Sequence, residues 1–232
     1  KTIANKNEFY FEEIGLSKST TNLRVSHNFA EHAVKNPMVG SFNSQNAILV
    51  IAALVANKIS IADGINALQQ PVSIPGRMEF FGRNKRGSYV YVDYAHTPDA
   101  LQGALMAIKS ITSKRIILVF GCGGSRDVGK RSMMGGIADR YSDKVILTSD
   151  NNRTETFESI ASDVLSGVKK IKKFTVLSDR RHAIDASLAL GSLDDVILIA
   201  GKGHEQIIEH QNYNENFSDR AYVANCLRNE ND

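Results

Sequence analysis

The chain of 232 residues has 42% hydrophobic and 23% charged residues, with only 4 prolines and 17 glycines. This is the composition of a globular protein with one large or two small domains, and it excludes a disordered, collagen-like or low-complexity chain. The 28 basic and 25 acidic residues give a net charge of +3 that is spread along the chain, so we expect no nucleic-acid partner.

Residues 1–70 begin with a polar stretch and continue with patterns of both strands and helices. Two strands and two helices are predicted there, at residues 23–29, 32–34, 46–58 and 61–68. Ser60 is the expected N-cap of the second helix. Residues 70–76 contain Pro71 and Pro75 and follow neither period, so we expect a linker and place the domain boundary there, between units 1–74 and 75–232.

From residue 88 onward, short β-branched runs alternate with segments of helical period, which is typical of a largely parallel sheet. Strands are predicted over residues 88–93, 115–120, 144–148, 174–177 and 195–200, and helices over 99–110, 133–141, 157–169 and 181–190. The sequence therefore predicts an α/β fold with a doubly wound, mostly parallel sheet. Residues 206–209 indicate a short added edge strand, and residues 218–228 a closing helix with Ser218 as its N-cap.

The longest apolar run, residues 47–56, covers about half of the roughly 20 residues that a membrane-spanning helix needs, so we expect a core helix and no membrane partner. Cys122 and Cys226 lie far apart without the spacing of a zinc site or a disulfide framework, which favours a cytoplasmic location. The chain begins with Lys1 and has no apolar signal segment, so we expect a piece of a longer protein.

A glycine-rich loop at residues 121–131 follows a predicted strand and precedes a helix, where backbone amides can approach an anion. Read from Gly124, it nearly matches a Walker A loop, but Arg131 stands where the Mg²⁺-binding Ser or Thr belongs, so we reject an ATP cradle. The absence of G-x-G-x-x-G disfavours a dinucleotide site. We expect a ligand loop that carries Arg126, Lys130 and Arg131, and a solvated basic turn is the alternative.

An acid, two amides and a guanidinium follow the next predicted strand, at Asp150, Asn151, Asn152 and Arg153. Arginine binds a carboxylate through two parallel hydrogen bonds and aspartate can hold an ammonium, so this set suits an amino-acid zwitterion. A turn with a helix cap is the alternative, because Asn and Asp favour such positions in any protein.

Two further strand ends carry polar groups. After the last parallel strand, Gly201 and Gly203 imply a close backbone approach, and Glu205 can accept a hydrogen bond from an amine. No series of a nucleophile, a histidine and an acid is readable, which disfavours covalent hydrolysis. Residues 92–99 contain the end of the first parallel strand and the predicted start of a helix at Thr97. Four strand ends are thus expected to meet at one crevice.

Taken together, these motifs resemble the Mur ligase family, and within it the members that add the third residue of the peptidoglycan stem peptide. The matching segments cover nearly all of the chain and lie at residues 40–46, 75–79, 92–100, 120–131, 150–154, 201–205 and 218–220. Each match is weak alone, but their joint order and spacing are specific.

The resemblance implies that residues 1–74 are the C-terminal portion of a central ATP-binding domain plus linker. Residues 75–232 are then a Rossmann-like C-terminal domain that binds the amino acid. The implied reaction is the addition of meso-diaminopimelate to UDP-N-acetylmuramoyl-L-Ala-D-Glu through an acyl phosphate, with ATP and Mg²⁺ as cofactors. We expect a cytoplasmic monomer.

The resemblance also implies roles for individual residues. Near the nucleotide it places Asn46, Arg77 and Asp93. Around the incoming amino acid it places Arg126, Asp150, Asn151, Asn152, Arg153, Gly201 and Glu205. His96, Lys130 and Arg131 match motif positions without an assigned role, and no catalytic residue or metal ligand is assigned in this chain.

One departure from the family pattern affects the choice of amino acid. The diaminopimelate-adding members carry Asp-Asn-Pro-Arg, whereas Asn152 replaces the proline here. Arg153 is retained, and it would repel the ammonium of lysine, so meso-diaminopimelate is expected. The same ligase with L-lysine, a Rossmann-like nucleotide-binding module without ligase activity, and a pure interaction module are the alternatives.

We predict that this chain alone does not catalyse the addition, because it contains no G-x-x-x-x-G-K-[ST] loop to hold the phosphates of ATP. The assay combines the chain with UDP-N-acetylmuramoyl-L-Ala-D-Glu, ATP, Mg²⁺ and meso-diaminopimelate. Tripeptide product above that of a control without protein would contradict the prediction.

Overall fold

The structure, a computed structural model, describes residues 9–70 and 74–229. The chain divides into two compact units, Lys1–Ile74 and Pro75–Asp232. Residues 71–73, in the middle of the predicted linker, lie outside the described residues. The assignment of the two units to domains of a ligase stays a prediction.

The first unit contains a three-stranded antiparallel sheet and two helices. Side chains of the middle strand are alternately buried and exposed, and Leu23 and Val25 form one buried cluster with Ile48 and Ile51 of the first helix. The sheet order follows the chain. The elements are β1 (Phe9–Leu16), β2 (Thr21–His27), β3 (Ala30–Asn36), α1 (Ser41–Ala56) and α2 (Ile61–Leu68).

The predicted strands and helices of this unit are present, and the largest difference is at α1, which begins at Ser41 and not at residue 46. Ser60 caps α2 as predicted, because its Oγ accepts a hydrogen bond from the backbone N–H of Asp63 (3.1 Å). The prediction lacks β1, whose sequence FYFEEIGL is largely exposed and does not alternate between apolar and polar residues as a half-buried strand does.

The second unit contains a six-stranded sheet, a separate two-stranded hairpin and five helices among its described residues. The elements are β4 (Glu79–Arg83), β5 (Tyr89–Asp93), α3 (Pro98–Ile111), β6 (Ile116–Phe120), α4 (Gly129–Tyr141), β7 (Lys144–Leu147), α5 (Phe157–Leu165), a short 3₁₀ turn (Ile171–Lys173), β8 (Phe174–Val176), α6 (Arg180–Leu190), β9 (Val196–Ala200), β10 (Ile207–Glu209), β11 (Asn214–Asn216) and α7 (Asp219–Asn229).

The main sheet has the strand order β4-β5-β9-β6-β7-β8, and every pairing is parallel except that of β4 with β5. All five residues of β6 and of β9 are buried. Since successive side chains of a strand point to opposite faces, both faces of the sheet are covered. The predicted doubly wound, mostly parallel α/β fold is confirmed.

The strand order explains where a ligand can bind. After β5 the chain passes over the position of β9 to form β6, continues outward to β7 and β8, and then returns through α6 to insert β9 between β5 and β6. The connections therefore change direction around β9. Open α/β sheets bind ligands at the carboxyl ends of the strands next to such a point.

The edges of the sheet differ from the prediction in two ways. Residues 79–83 form the antiparallel edge strand β4, which the sequence analysis does not predict. Because β4 covers the free edge of β5, the segment 206–209 does not add to that edge. Its residues in β10 pair instead with β11 in a hairpin, and a single parallel bridge joins Arg153 to His210 of this hairpin.

Two helix ends also differ from the prediction. α4 begins at Gly129 and not at residue 133, because its first turn is polar and shows no apolar period. α5 ends at Leu165 and not at residue 169, since the backbone turns at Gly167, whose N–H donates to the carbonyl oxygen of Val164 (3.2 Å).

A buried ion pair lies below the carboxyl edge of the sheet. Arg180 at the start of α6 donates two hydrogen bonds to the carboxylate of Asp219 at the start of α7, both of 2.7 Å. Its other donors reach the carbonyl oxygens of Ser149 (3.1 Å) and Ala200 (2.9 Å). One guanidinium thus joins two helices to the ends of β7 and β9, and the sequence analysis did not identify it.

Replacing this arginine should destabilise the second unit. Arg180→Met leaves the Asp219 carboxylate buried without its cation, and we expect a loss of about 3–5 kcal/mol in the free energy of unfolding. Urea unfolding followed by the amide signals of β6 and β9 measures it. Arg181→Met removes the neighbouring, partly exposed ion pair with Glu215 and serves as the control, with an expected loss of about 1 kcal/mol. Equal losses in the two variants would contradict the assignment.

Candidate functional site

The carboxyl ends of β5, β9, β6 and β7 open into a cleft of about 430 Å³. Of the seven residues expected around an amino acid, the cleft is lined by Arg126, Asp150, Asn151, Arg153, Gly201 and Glu205. The remaining one, Asn152, does not line it. Its Nδ2 donates to Ser149 Oγ (3.3 Å), and its Oδ1 is buried without a hydrogen-bond partner among the described residues.

Glu205 is held by a buried lysine that the sequence analysis left without a role. The fully buried Lys202 donates from Nζ to Glu205 Oε2 (2.8 Å) and to Asn151 Oδ1 (3.1 Å). Asn151 Nδ2 also donates to Glu205 Oε2 (3.0 Å). Among the described residues, the other oxygen, Oε1, has only a long contact of 3.5 Å with the hydroxyl of Tyr94, so it remains available to accept a ligand hydrogen bond. Burial, and then the Glu205 charge, raise the pKa of Tyr94.

Asp150 lies against the backbone of Gly201. Its Oδ1 accepts a hydrogen bond from the backbone N–H of Asn151 (2.6 Å). Gly201 has a φ of +115°, and a Cβ atom there would lie 2.8 Å from Asp150 Oδ2. Any side chain at this position would therefore both strain the backbone and displace the carboxylate, which accounts for the glycine that the sequence analysis singled out.

Arg153 is anchored on two sides. Its Nε forms an ion pair with Glu209 Oε2 (2.6 Å), and its Nη1 donates to the carbonyl oxygen of Gly124 (2.9 Å). The residue has a φ of +51°, an unusual conformation for a side chain of this size. The sequence analysis expected Arg153 in the site but did not identify Glu209, because the hairpin that carries this acid was not predicted.

The glycine-rich loop is fastened to the loop after β7. The Gly124 N–H donates to the carbonyl oxygen of Asn151 (2.9 Å), and the Ser125 N–H donates to Glu155 Oε1 (2.5 Å). Arg126 follows directly and is exposed at the cleft. The positions of Arg126 and of Asn151 are thereby coupled through the backbone.

Arg131 is not a ligand group, and that expectation is corrected. Its side chain is fully buried and donates to Glu155 (2.7 and 2.8 Å), to Asp163 (2.8 Å) and to the carbonyl oxygen of Gly123 (3.2 Å). Its role is to hold the glycine-rich loop against the following loop and α5. The sequence shows a basic residue next to Lys130 but not the two acids, which lie 24 and 32 residues away in the chain.

Three other motif residues on the cleft side contact one another. Lys130 Nζ donates to the carbonyl oxygen of His96 (3.0 Å), and His96 Nδ1 lies 2.8 Å from the carbonyl oxygen of Tyr94. Cys122 also lines the cleft, but burial raises the pKa of its thiol to about 12. A thiolate nucleophile is thus disfavoured at neutral pH.

The residues expected near a nucleotide lie outside the lining of the cleft. Asp93 is buried, accepts backbone hydrogen bonds from Met78 (2.7 Å) and Ala95 (2.9 Å), and has a pKa raised by its burial. The guanidinium of Arg77 stacks over the ring of Tyr94 at 4.7 Å. Asn46 is an exposed residue of α1 in the first unit.

The charges of the cleft are balanced. Its lining includes three cationic side chains, Arg126, Lys130 and Arg153, and three anionic ones, Asp127, Asp150 and Glu205. A site that offers both signs within one small cleft suits a ligand that carries ammonium and carboxylate groups together. The described residues contain no group of three or more His, Cys, Asp or Glu side chains that could hold a metal ion.

Comparisons with known proteins agree on one family. The model described as "Mur ligase, glutamate ligase domain" matches residues 76–203. The chain is 41% identical over 194 residues to the UDP-N-acetylmuramoyl-L-alanyl-D-glutamate--2,6-diaminopimelate ligase of Buchnera aphidicola subsp. Acyrthosiphon pisum (strain APS). The alignment covers 84% of this chain and 39% of that protein. It is 42% identical over 199 residues to the protein of the same name from Prochlorococcus marinus (strain NATL1A), with 83% and 39% covered.

A solved structure of a UDP-N-acetylmuramoyl-L-alanyl-D-glutamate--2,6-diaminopimelate ligase superposes on this chain with a TM-score of 0.71 at 32% identity. The superposition covers 97% of this chain and 46% of that one. The chain thus spans about two fifths of the length of the curated relatives it matches. Among the described residues, every helix is too short or too polar to cross a membrane.

The link between Glu155 and Arg131 predicts a dependence of stability on pH. The hydrogen bonds from Arg131, and then the Ser125 N–H, lower the pKa of Glu155 from 4.5 to about 2. A carboxyl group whose pKa is lower in the folded state stabilises the fold fully above its unfolded pKa, and this contribution is lost as the pH falls toward 2. Glu155→Gln should therefore lower the free energy of unfolding by about 1–2 kcal/mol at pH 6, and progressively less below pH 4.5.

Urea unfolding of both proteins at pH 6, 4 and 3 measures this difference. Glu158→Gln, an exposed acid in the first turn of α5, is the control and should cost at most about 0.5 kcal/mol. A Glu155→Gln deficit that stays constant down to pH 3 would show that the carboxylate charge is not the cause.

Proposed function

The chain belongs to the Mur ligase family, and we propose that it supplies the amino-acid site of a ligase that adds meso-diaminopimelate to UDP-N-acetylmuramoyl-L-Ala-D-Glu. The observation that carries the proposal is the cleft in which Arg153 and Arg126 lie beside Asp150 and Glu205. The relatives described above bear the name of such a ligase. The reaction would contribute to peptidoglycan precursor synthesis in the cytoplasm.

We assign residues 75–232 to the amino-acid-binding domain of this ligase and residues 1–74 to the last part of its ATP-binding domain, with the linker. The family model supports the first assignment, since its match falls within the second unit. The second rests on the resemblance of residues 40–46 to the family motif. The whole enzyme is proposed to act as a monomer.

In the proposed complex, the carboxylates of Glu205 and Asp150 hold the ammonium groups of the amino acid. Within the part of the chain that the structure describes, Glu205 Oε1 has only a long contact with Tyr94, and Lys202 fixes the opposite oxygen. The carboxylate of Glu205 is therefore oriented with one acceptor toward the ligand. Asp150 offers a second acceptor across the cleft, and Arg126 and Arg153 bind the carboxylates of the ligand.

Positioning is what this chain contributes to the reaction. ATP supplies the phosphoryl group that activates the acceptor carboxylate as an acyl phosphate. An amine held at a fixed place and angle attacks such a group far faster than one that arrives from solution. The backbone links among the loops after β6, β7 and β9 would hold the amine in this way.

We propose that Arg77 and Asn46 contact the nucleotide, and that Asp93 acts through its hydrogen bond to the Met78 backbone next to Arg77. The stacked guanidinium of Arg77 suits a phosphate or a ribose. The acids of the described residues do not form a group that fits Mg²⁺, so we assign no ligand for that ion to this chain.

The same ligase with L-lysine as its amino acid is a second candidate. The observation that favours it is Glu209, whose carboxylate lies 2.6 Å from Arg153 Nε and offsets the charge that would repel the lysine ammonium. Asn152 in place of the family proline points in the same direction. A direct comparison of the two amino acids decides between these candidates.

Titration of the ¹⁵N-labelled chain with meso-diaminopimelate should shift the amide signals of residues 126, 150–153 and 201–205. Arg153→Ala should weaken this binding by about tenfold or more, because the distal carboxylate loses its cation. Binding of L-lysine should change by less than about threefold, since lysine has no distal carboxylate. Arg140→Ala, an exposed arginine of α4 outside the cleft, is the matched control.

Shifts confined to other parts of the chain would refute this placement of the site. Tighter binding of L-lysine than of meso-diaminopimelate by the unsubstituted chain would favour the second candidate.

A further inference from the structure

The β10–β11 hairpin brings one acidic residue, Glu209, against two residues of the cleft. Its carboxylate Oε2 lies 2.6 Å from Arg153 Nε. Its carbonyl oxygen accepts a hydrogen bond from the Arg153 N–H (3.0 Å), and its own N–H donates to Asn151 Oδ1 (2.9 Å). Side chain and backbone of a single residue therefore hold both Asn151 and Arg153.

These contacts determine which donors of Arg153 are left for a ligand. Nε donates to Glu209, and Nη1 donates to the Gly124 carbonyl oxygen at 2.9 Å, with a longer contact of 3.4 Å to that of Asn151. Within residues 9–70 and 74–229, Nη2 has no hydrogen-bond partner. The side chain is 22% exposed and lines the cleft.

We propose that Glu209 is a positioning residue that fixes the Arg153 guanidinium, so that a carboxylate of the incoming amino acid meets the Nη2 end of the group. This inference rests on the proposed function and deepens it. A guanidinium fastened at Nε and Nη1 cannot rotate about its long side chain, and its remaining donors keep one direction. Binding then costs less of the rotational freedom that a flexible arginine would lose.

The same ion pair changes how the site discriminates between amino acids. Glu209 offsets the charge of Arg153, so long-range repulsion of an ammonium is weak. Discrimination depends instead on the N–H donors at Nη2. A carboxylate can accept their hydrogen bonds, whereas an ammonium has no acceptor atom. When the wrong ligand binds, the partly buried Arg153 is left without a hydrogen-bond acceptor, and this lowers the affinity for that ligand.

The first test needs no ligand. In the ¹⁵N spectrum, the Nε–H signal of Arg153 should be distinct and slow to exchange with water, because Glu209 accepts its proton. Glu209→Ala should shift this signal and speed its exchange, whereas Glu209→Gln, which keeps an acceptor oxygen of similar reach, should change it less. Glu215→Ala is the matched control, since it removes an acid of the same hairpin that pairs with Arg181 and not with Arg153.

The second test measures binding of meso-diaminopimelate and of L-lysine by the same variants. Glu209→Ala should lower the affinity for meso-diaminopimelate by about tenfold and change the affinity for L-lysine by less than about twofold. The affinities of Glu209→Gln and Glu215→Ala should remain within about threefold of those of the unsubstituted chain. In Arg153→Ala, the further change Glu209→Ala should have no additional effect on either ligand. A selective loss of this kind is not expected from a hairpin that is merely destabilised.

The opposite results would overturn the proposal. If Glu209 only cancels charge, Glu209→Ala binds meso-diaminopimelate more tightly than the unsubstituted chain. An unchanged Arg153 Nε–H signal in Glu209→Ala overturns the proposal in the absence of any ligand. If the unsubstituted chain binds neither amino acid, the proposed function fails, and the Nε–H signal still decides whether Glu209 holds Arg153.

Discussion

The geometry of the cleft depends on the buried pair of Arg180 and Asp219. The two side chains meet through two hydrogen bonds, and the guanidinium also binds the carbonyl oxygens of Ser149 and Ala200. These carbonyl groups directly precede Asp150 and Gly201. The pair therefore holds together the two loops that follow β7 and β9, and it is shielded from the screening that weakens exposed ion pairs.

Above this pair, the loops are joined both by close backbone contacts and by long side chains such as Lys202 and Arg153. Gly124 packs so closely on the carbonyl group of Asn152 that a Cβ atom would lie 1.9 Å from its oxygen, and a Cβ atom at Gly201 would lie 2.8 Å from the Asp150 carboxylate. Glycines at these points let one loop support the next. The exposed Arg126 thus follows a loop segment that hydrogen bonds from Gly124 and Ser125 fasten to the neighbouring loop.

The sequence predicts the parts of this framework that depend on local pattern. Runs of buried β-branched residues and helical periods identify the parallel strands and their helices, and the glycine-rich and polar segments mark the strand ends that form the cleft. It does not predict β4 or β11, whose short and partly polar strands carry little period, and it therefore predicts the strand at residues 206–209 without its hairpin partner. Nor does it identify partners distant in the chain, as with Arg180 and Asp219, which are 39 residues apart. The same limit made Arg131 look like a ligand group.

Charge balance connects the framework to the ligand. Three cations and three anions line the cleft, and behind them Lys202 pairs with Glu205 and Glu209 with Arg153. The proposed ligand, a diaminopimelate with two ammonium and two carboxylate groups, has no net charge and therefore matches the charge balance of the cleft, whereas lysine would bring one uncompensated positive charge. Since neither sign dominates, the field of the cleft attracts neither ligand from a distance. Recognition must then come from the directions of the individual donors and acceptors, and those directions are what the buried pairs around the cleft fix.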